Sequence, residues 1–456
     1  MKKQGFVLLF AIAFLLCFSS FSFKTNNKNK GSKSEESDDF PVAVFLSDFH
    51  IGEKMGAVCK HPQDFIKPDV YIPYINDNSD TLFYYHLKVK EFMEKIYAIT
   101  NKDNTKKEIP YLVLNGDIFD LAVNNAGATF NLANDFFNAT IFNDSIFSSY
   151  FENIIYIPGN HDHHVWQMFQ EEYYITERLK SKKQALPLPQ QYIGILDITA
   201  DKDPSFIIHN KNQIQYEEKN NLFSYIISNN KKPVYVVYPN LYIKYNSDSS
   251  AICVTHGQFF EPGWNIMTNA LKDILKLNED SMYLANLERY NAPATEFLDY
   301  SLAQMDNELV QGINDFQYED SPGIQDSIAK HNIETLRNLF PAVFNVKLKP
   351  KNTADQDMKR LLKYPVLVDK YLWNSQLQMN RYNLKFSKLI YGHTHIPCND
   401  YHYIKYYKTS DTTLLDLNFN MYNTGGWVDI DPVKFTEPNP LYLYRNGNIK
   451  EVFANE

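Results

Sequence analysis

Five short strings in this 456-residue chain gather side chains that can bind metal ions or move protons. Asp48-Phe49-His50 sets a carboxylate and an imidazole two residues apart, so at a strand end both can be aimed into one site. Gly116-Asp117-Ile118-Phe119-Asp120 puts a carboxylate on a glycine turn, where its two oxygens can bridge two cations. Gly159-Asn160-His161-Asp162 offers an amide oxygen, an imidazole able to act as ligand or general acid, and a carboxylate able to orient that imidazole. His256-Gly257 adds one more imidazole, and Gly392-His393-Thr394-His395 aims two from one place. Taken singly, each string has an ordinary structural explanation: Asp and Gly are common in turns, and a lone buried histidine is usually a core residue. The set argues otherwise, because five of the 12 histidines stand beside Asp48, Asp117 and Asn160. Mixed oxygen and imidazole donors suit Mn, Fe or Zn and are too rich in nitrogen for Mg or Ca.

Every string follows a short apolar run that reads as a buried strand: Pro41–Leu46, Ile109–Leu114, Asn153–Ile157, Ala251–Val254 and Lys388–Tyr391. Ligands collect at the carboxyl ends of strands in α/β sheets, so five such ends predict one shared site. Tyr84–Ile99 and Val165–Leu179 read as helices covering the sheet faces. From Trp264 to Asn383 strand-like runs are few, and Leu298, Leu302, Met305 and Leu309 recur at helical spacing. This interval reads as a mainly helical insertion over the site, plain sheet-covering helices being the other reading. The tail from Leu414 returns to strand-like composition. His163 and His164, just past the third string, read either as solvated loop residues or as phosphate contacts.

Hydrophobic residues at 44% and aromatics at 15% supply a large core and exclude disordered and fibrous classes. A net charge of −9 argues against duplex DNA as a partner, since wrapping it requires a basic stripe. Residues 1–23 carry Met1-Lys2-Lys3, an apolar run from Phe6 to Phe18 and then small residues, the form of a signal peptide or membrane anchor. Residues 24–39 are polar and read as a disordered linker, leaving residues 40–456 as the folded domain. Cys59, Cys253 and Cys398 are too few for a disulfide framework; Cys59 and Cys398, each shortly downstream of a metal-capable string, are the pair that an oxidising compartment could join.

In their order, Asp-x-His, Gly-Asp-x-x-Asp, Gly-Asn-His-Asp, His-Gly and Gly-His-x-His, the five strings resemble the signature of the calcineurin-like metallophosphoesterases. The resemblance runs from about Phe40 to Val428, apart from the interior of the long interval. It implies an α/β fold, a four-layer αββα metallophosphoesterase sandwich with a mainly helical insertion at about 264–383. It also implies two transition-metal ions, divalent or trivalent. Asp48, His50, Asp117 and His395 would hold one, and Asp117, Asn160, His256 and His393 the other. A pair of ions about 3.5–4 Å apart would activate a bridging hydroxide for in-line attack on phosphorus. His161 resembles the general acid for the leaving oxygen, with Asp162 holding its ring.

In style the first, second and fifth strings are similar to the branch containing UDP-2,3-diacylglucosamine pyrophosphohydrolases. The departures are His161, where that enzyme tends to have Arg, and Gln258, where Asp often follows His-Gly. The first three strings also resemble the Mre11 and SbcD nucleases, and some relatives are non-catalytic scaffolds. The expectation is an exported, membrane-tethered or secreted hydrolase of a phosphomonoester, phosphodiester or pyrophosphate, its substrate a phosphorylated small molecule or lipid-linked, with membrane contact through the amino-terminal segment.

Overall fold

The computed structural model describes residues 40–53, 56–60, 71–75, 82–100, 110–137, 151, 153–173, 190–199, 205–209, 226, 234–261, 263–265, 267–268, 284–305, 365–408, 414–427, 429–431, 434–435 and 438–453. The signal-like segment and the polar linker lie outside them. Among the described residues no helix is long and apolar enough to cross a membrane.

The fold is mixed α/β, and its strands are numbered in chain order. One six-stranded sheet runs Ile449–Glu451 (β18), Leu441–Tyr444 (β17), Pro41–Leu46 (β1), Tyr111–Asn115 (β5), Ile154–Ile157 (β6), Val234–Val236 (β9). A seven-stranded sheet runs Cys398–Lys408 (β13), Leu414–Asn423 (β14), Lys385–Tyr391 (β12), Ser250–Thr255 (β11), Asn240–Lys244 (β10), Ile193–Asp197 (β7), Ser205–His209 (β8). In the first, β1, β5, β6 and β9 are parallel; in the second, β11, β12 and β14 are parallel. Two smaller sheets pair Cys59–Lys60 (β2), Leu82–His86 (β4) and Tyr71–Ile75 (β3), and Asp429–Asp431 (β15) with Lys434–Phe435 (β16).

The central strands are buried on both faces, which is why they appear in the sequence as unbroken apolar runs. Side chains alternate across a strand. Ala43 and Phe45 of β1 and Tyr111 and Val113 of β5 meet Leu241, Ile243, Ile252 and Val254 of the other sheet in one core cluster. Val44, Leu46, Leu112 and Leu114 point the opposite way, into a second cluster with helix residues. The helices there are Leu87–Thr100 (α1), through Val89, Phe92 and Ile96; Ala126–Phe137 (α2), through Leu132 and Phe136; and His163–Tyr173 (α3), through Trp166 and Phe169.

Tyr84–His86, expected to begin a helix, instead ends β4. The aromatic residues there pair with β3 in the sheet, with Phe83, Tyr85 and His86 buried, and the helix starts only at Leu87. Of Val165–Leu179, the helix covers 165–173, and the remainder lies outside the described residues.

The long interval supplies Leu284–Glu296 (α4), a π-helical turn at Phe297–Ser301, Leu302–Met305 (α5) and Pro365–Asn380 (α6). These helices do not stand apart. Leu284, Leu287, Val368, Tyr371, Leu372 and Met379 belong to the same core cluster as the sheet, and the Tyr371 hydroxyl donates to Asn240 Oδ1 at 2.6 Å on β10. Over these described residues the interval packs against the sheet. Cys59, Cys253 and Cys398 are buried in the core and unbridged, so the Cys59–Cys398 disulfide that the sequence left open is not formed.

Candidate metal centre

The carboxyl ends of β1, β5 and β6 in one sheet and of β11 and β12 in the other converge, and hydrogen bonds join them across the gap. Asn115 Nδ2, at the end of β5, donates to the Thr255 carbonyl of β11 at 3.0 Å, while His256 Nδ1 lies 2.9 Å from the Asn115 carbonyl. The His393 amide after β12 donates to both Asp48 oxygens after β1, at 3.0 and 3.1 Å. Chain segments that leave adjacent strands here must turn sharply. Eight described non-glycine residues have φ in the left-handed region, and five of them are Asp48, His50, Asp117, His393 and His395. Such conformations cost energy and persist where the surroundings enforce them, often at functional sites. Two glycines leave the space that the ligands fill. A Cβ on Gly116, whose φ is +86°, would stand 2.2 Å from His256 Nδ1, and one on Gly159 would stand 2.2 Å from Asp117 Oδ1.

The sequence-predicted ligands fall into two groups, each with its donor atoms within 4.8 Å of one another: Asp48, His50 and His395, and Asp117, His256 and His393. In the first, His50 Nε2 faces His395 Nε2 at 3.0 Å, and His395 Nε2 lies 3.4 Å from Asp48 Oδ1. In the second, His256 Nε2 lies 3.0 Å from Asp117 Oδ2. The same Asp117 oxygen is 3.8 Å from His50 Nε2, so it stands between the groups. Asn160 is buried, and its Oδ1 has no hydrogen-bond partner among the described residues.

These donors fit cations better than they fit one another. Among the described residues His393 Nδ1 and Asn160 Oδ1 are buried without hydrogen bonds, His256 Nε2 meets only the Asp117 carboxylate, and two imidazole nitrogens oppose each other at His50 and His395. Buried polar atoms normally find partners, so a cluster of orphans marks a missing one. Outer contacts fix which ring nitrogen faces inward: Nδ1–H of His50 donates to Asp120 Oδ2 at 2.8 Å, and Nδ1–H of His256 to the Asn115 carbonyl, so that both Nε2 atoms face the site. Burial lowers His50 and His393 below the usual histidine range, keeping them neutral. For Asp117, burial favours the acid, but His256 and His161 overcome it and hold the carboxyl well below the usual range. His256 is opposed by burial and raised to about 9 by Asp117.

Asp120 and Asp162 depart from expectation. Asp162, expected to hold the His161 ring, instead accepts the amides of Ile118 at 2.8 Å and Phe119 at 3.4 Å on one oxygen, and that of Gly159 at 2.6 Å on the other. It is fully buried and directed back at the turns carrying Asp117 and Asn160, so its work is to fix their backbone. The His161 ring lies instead against Asp120, whose Oδ2 is 2.9 Å from His161 Nδ1, an ion-pair contact and not a well-formed hydrogen bond. Asp120 Oδ1 accepts the Ala122 and Val123 amides at 3.1 and 3.2 Å, so the backbone anchors one oxygen while the other stands between His50 and His161. His161 is 20% exposed where Asp120 is wholly buried, so the imidazole is the member of the pair that solvent can reach. Burial disfavours its charged form, yet Asp120 and Asp117 raise it well above the ordinary value. The signal for this role was the carboxylate three residues after Asp117.

His163 and His164 are helical and not solvated loop residues. They open α3, where His163 bonds Glu288 at 2.9 Å and Glu296 at 2.6 Å on α4. His164 bonds Glu296 at 2.8 Å and stacks on Tyr300 with centroids 3.5 Å apart.

Compared with known proteins, the chain matches no protein-family model and no curated protein sequence.

Proposed function

We propose that this chain is a dinuclear metal-dependent phosphoester hydrolase of the calcineurin-like metallophosphoesterase type, its two facing sheets and covering helices read as the four-layer sandwich of that fold. The observation that carries the reading is the pair of three-residue groups, Asp48–His50–His395 and Asp117–His256–His393, with Asp117 Oδ2 between them and the unpartnered Asn160 oxygen nearby. Asp48, His50, Asp117 and His395 would hold one ion, and Asp117, Asn160, His256 and His393 the other. Oxygen and imidazole donors together suit Mn, Fe or Zn. When bound, such ions supply charge neutralisation for phosphoryl oxygens and a water acidic enough to attack phosphorus.

The protein's own groups divide the remaining work. His161 keeps Nδ1–H toward Asp120 and presents Nε2–H outward, where it protonates the departing oxygen. Asp120 stabilises the charged ring. Asp162 holds the Gly159 and Ile118 amides, so the turns bearing Asn160 and Asp117 keep their shape. A net charge of −9 favours a phosphorylated small molecule or lipid-linked substrate over duplex DNA. Residues 1–23 are read as an export signal or anchor, giving an exported protein with membrane contact.

The test is hydrolysis by the purified protein, supplied with Mn, Fe or Zn, of a phosphomonoester, a phosphodiester, a nucleotide pyrophosphate and single-stranded DNA. Turnover of one of the first three that a chelator abolishes supports the reading. No turnover by metal-loaded, folded protein refutes it.

A further inference from the structure

Asn423, the last residue of β14, commits its whole side chain to the turn that carries two of the candidate ligands. Its Nδ2 donates to the Gly392 carbonyl at 3.0 Å and to Thr394 Oγ1 at 2.9 Å, while its Oδ1 accepts the Gly425 amide at 2.8 Å. Both donor hydrogens of the carboxamide and its acceptor oxygen are therefore engaged. Asn423 and Thr394 are buried, and the two groups that accept from Nδ2 stand on either side of His393. His393 and His395 hold φ at +69° and +56°, a shape that side-chain-bearing residues keep only where their surroundings enforce it.

The residues that follow extend the same hold to the other sheet. The Thr424 amide donates to the Tyr391 carbonyl at 3.1 Å, just before the turn. The Ser47 hydroxyl, at the end of β1, lies against Thr424 Oγ1 and donates to Asp48 Oδ2. The Trp427 amide donates to the Asp48 carbonyl at 3.0 Å. Gly426 passes so close to His395 that a Cβ there would stand 2.8 Å from the histidine Cβ. The corner 423–427 thus touches Asp48 and His395, two of the three residues of the first group. The second group is fixed from elsewhere: His256 by the Asn115 carbonyl, and the turn bearing Asp117 by Asp162 through the Ile118 amide.

Resting on the dinuclear reading, we propose that Asn423 is a positioning residue for one ion of the pair, the one assigned to Asp48, His50, Asp117 and His395. Its carboxamide keeps the Gly392–His395 turn in the backbone shape that brings His395 to that ion, and the corner it begins ties Asp48 to the same turn. Outer contacts of this kind set ligand orientation and with it metal affinity. Aspartate has nearly the same shape but no donor hydrogens when ionised, so Asn423→Asp separates hydrogen bonding from mere filling of space.

The experiment titrates Mn into the chelator-stripped full chain and follows the bound ions by electron paramagnetic resonance, which distinguishes a coupled pair from a single ion. His395→Ala and His256→Ala, each short of one ligand, supply the single-ion reference signals. Asn423→Ala and Asn423→Asp are expected to weaken the ion lost in His395→Ala by about 10- to 100-fold and to hold the ion lost in His256→Ala as the wild type does. Thr394→Val, which removes one accepting group, should weaken the same ion less, and Thr394→Ser, which keeps the hydroxyl, should bind as the wild type does. No change in either ion, or equal weakening of both, in a folded Asn423 variant overturns the proposal while leaving the dinuclear centre standing. Should neither Asn423 variant fold, a loss confined to Thr394→Val supports the proposal, and equal affinities of Thr394→Val and Thr394→Ser for that ion overturn it. A folded wild type that binds no coupled pair overturns the dinuclear reading and this inference with it.

Discussion

Asp120 Oδ2 lies 2.9 Å from Nδ1 of His161, and the same oxygen lies 2.8 Å from Nδ1 of His50. One buried carboxylate therefore orients both a candidate ligand and the candidate proton donor. Asp120→Asn is expected to weaken metal binding by about 10- to 100-fold, the usual effect of losing an outer contact to a ligand histidine. It should also slow substrates with poor leaving groups more than those with good ones. Metal titration and a leaving-group series check both effects. Losses independent of the leaving group would remove Asp120 from the proton-donor role.

Asp162 is expected to behave differently, because it holds three backbone amides and no imidazole. Asp162→Ala leaves buried amides unpaired, at about 1–3 kcal/mol for such a group. Denaturant unfolding should show a loss of about that size, and pH-rate profiles of whatever activity survives should keep their shape.

The His163 contacts predict a pH-dependent stability. Burial opposes the charged ring, but Glu288 and Glu296 raise it from 6.5 to about 10. Its folded value exceeds its unfolded one, so the stabilisation is fully present below about pH 6.5 and is lost as pH rises toward 10. His163→Leu should remove that slope and leave, among the described residues, Glu288 with the Tyr238 hydroxyl alone and Glu296 with His164 alone, costing about 3 kcal/mol near neutrality. Unfolding free energies of both proteins across this pH range make the comparison.

Removing residues 264–383 is expected to abolish folding. Leu284, Leu287, Val368, Tyr371, Leu372 and Met379 would all go, and at about 2 kcal/mol each their burial matches the whole stability of an ordinary domain. Soluble expression and circular dichroism of the shortened chain decide it. A folded product would return this interval to the status of a detachable cap.

Strand ends carrying metal-capable residues were legible because period-free apolar runs and short polar strings are local features. Asp48, His50, Asp117, His256, His393 and His395 come together where those runs end, and Asn160 follows Gly159, which packs on Asp117 and His256. Long-range relations were not legible. Nothing in Gly-Asn-His-Asp says that Asp162 turns back to the Ile118 amide while Asp120, from another strand end, takes the His161 ring. The β-strand of Tyr84–His86 was hidden because its apolar residues suit a helix until its partner Tyr71–Ile75 is known. Asn423 was silent for a similar reason: Gly392 and Thr394 become its neighbours only once β14 lies beside β12.

The most direct test of the central claim is the metal content of the purified protein, after loading with Mn, Fe or Zn and removal of free ions, beside that of Asp117→Ala. Asp117 Oδ2 lies between the two groups, 3.0 Å from His256 and 3.8 Å from His50. The account predicts two ions per chain in the wild type, fewer in Asp117→Ala, and loss of phosphoester hydrolysis in step. Folded wild-type protein that retains no ion, or an Asp117→Ala variant with full metal content and wild-type hydrolysis, would contradict it.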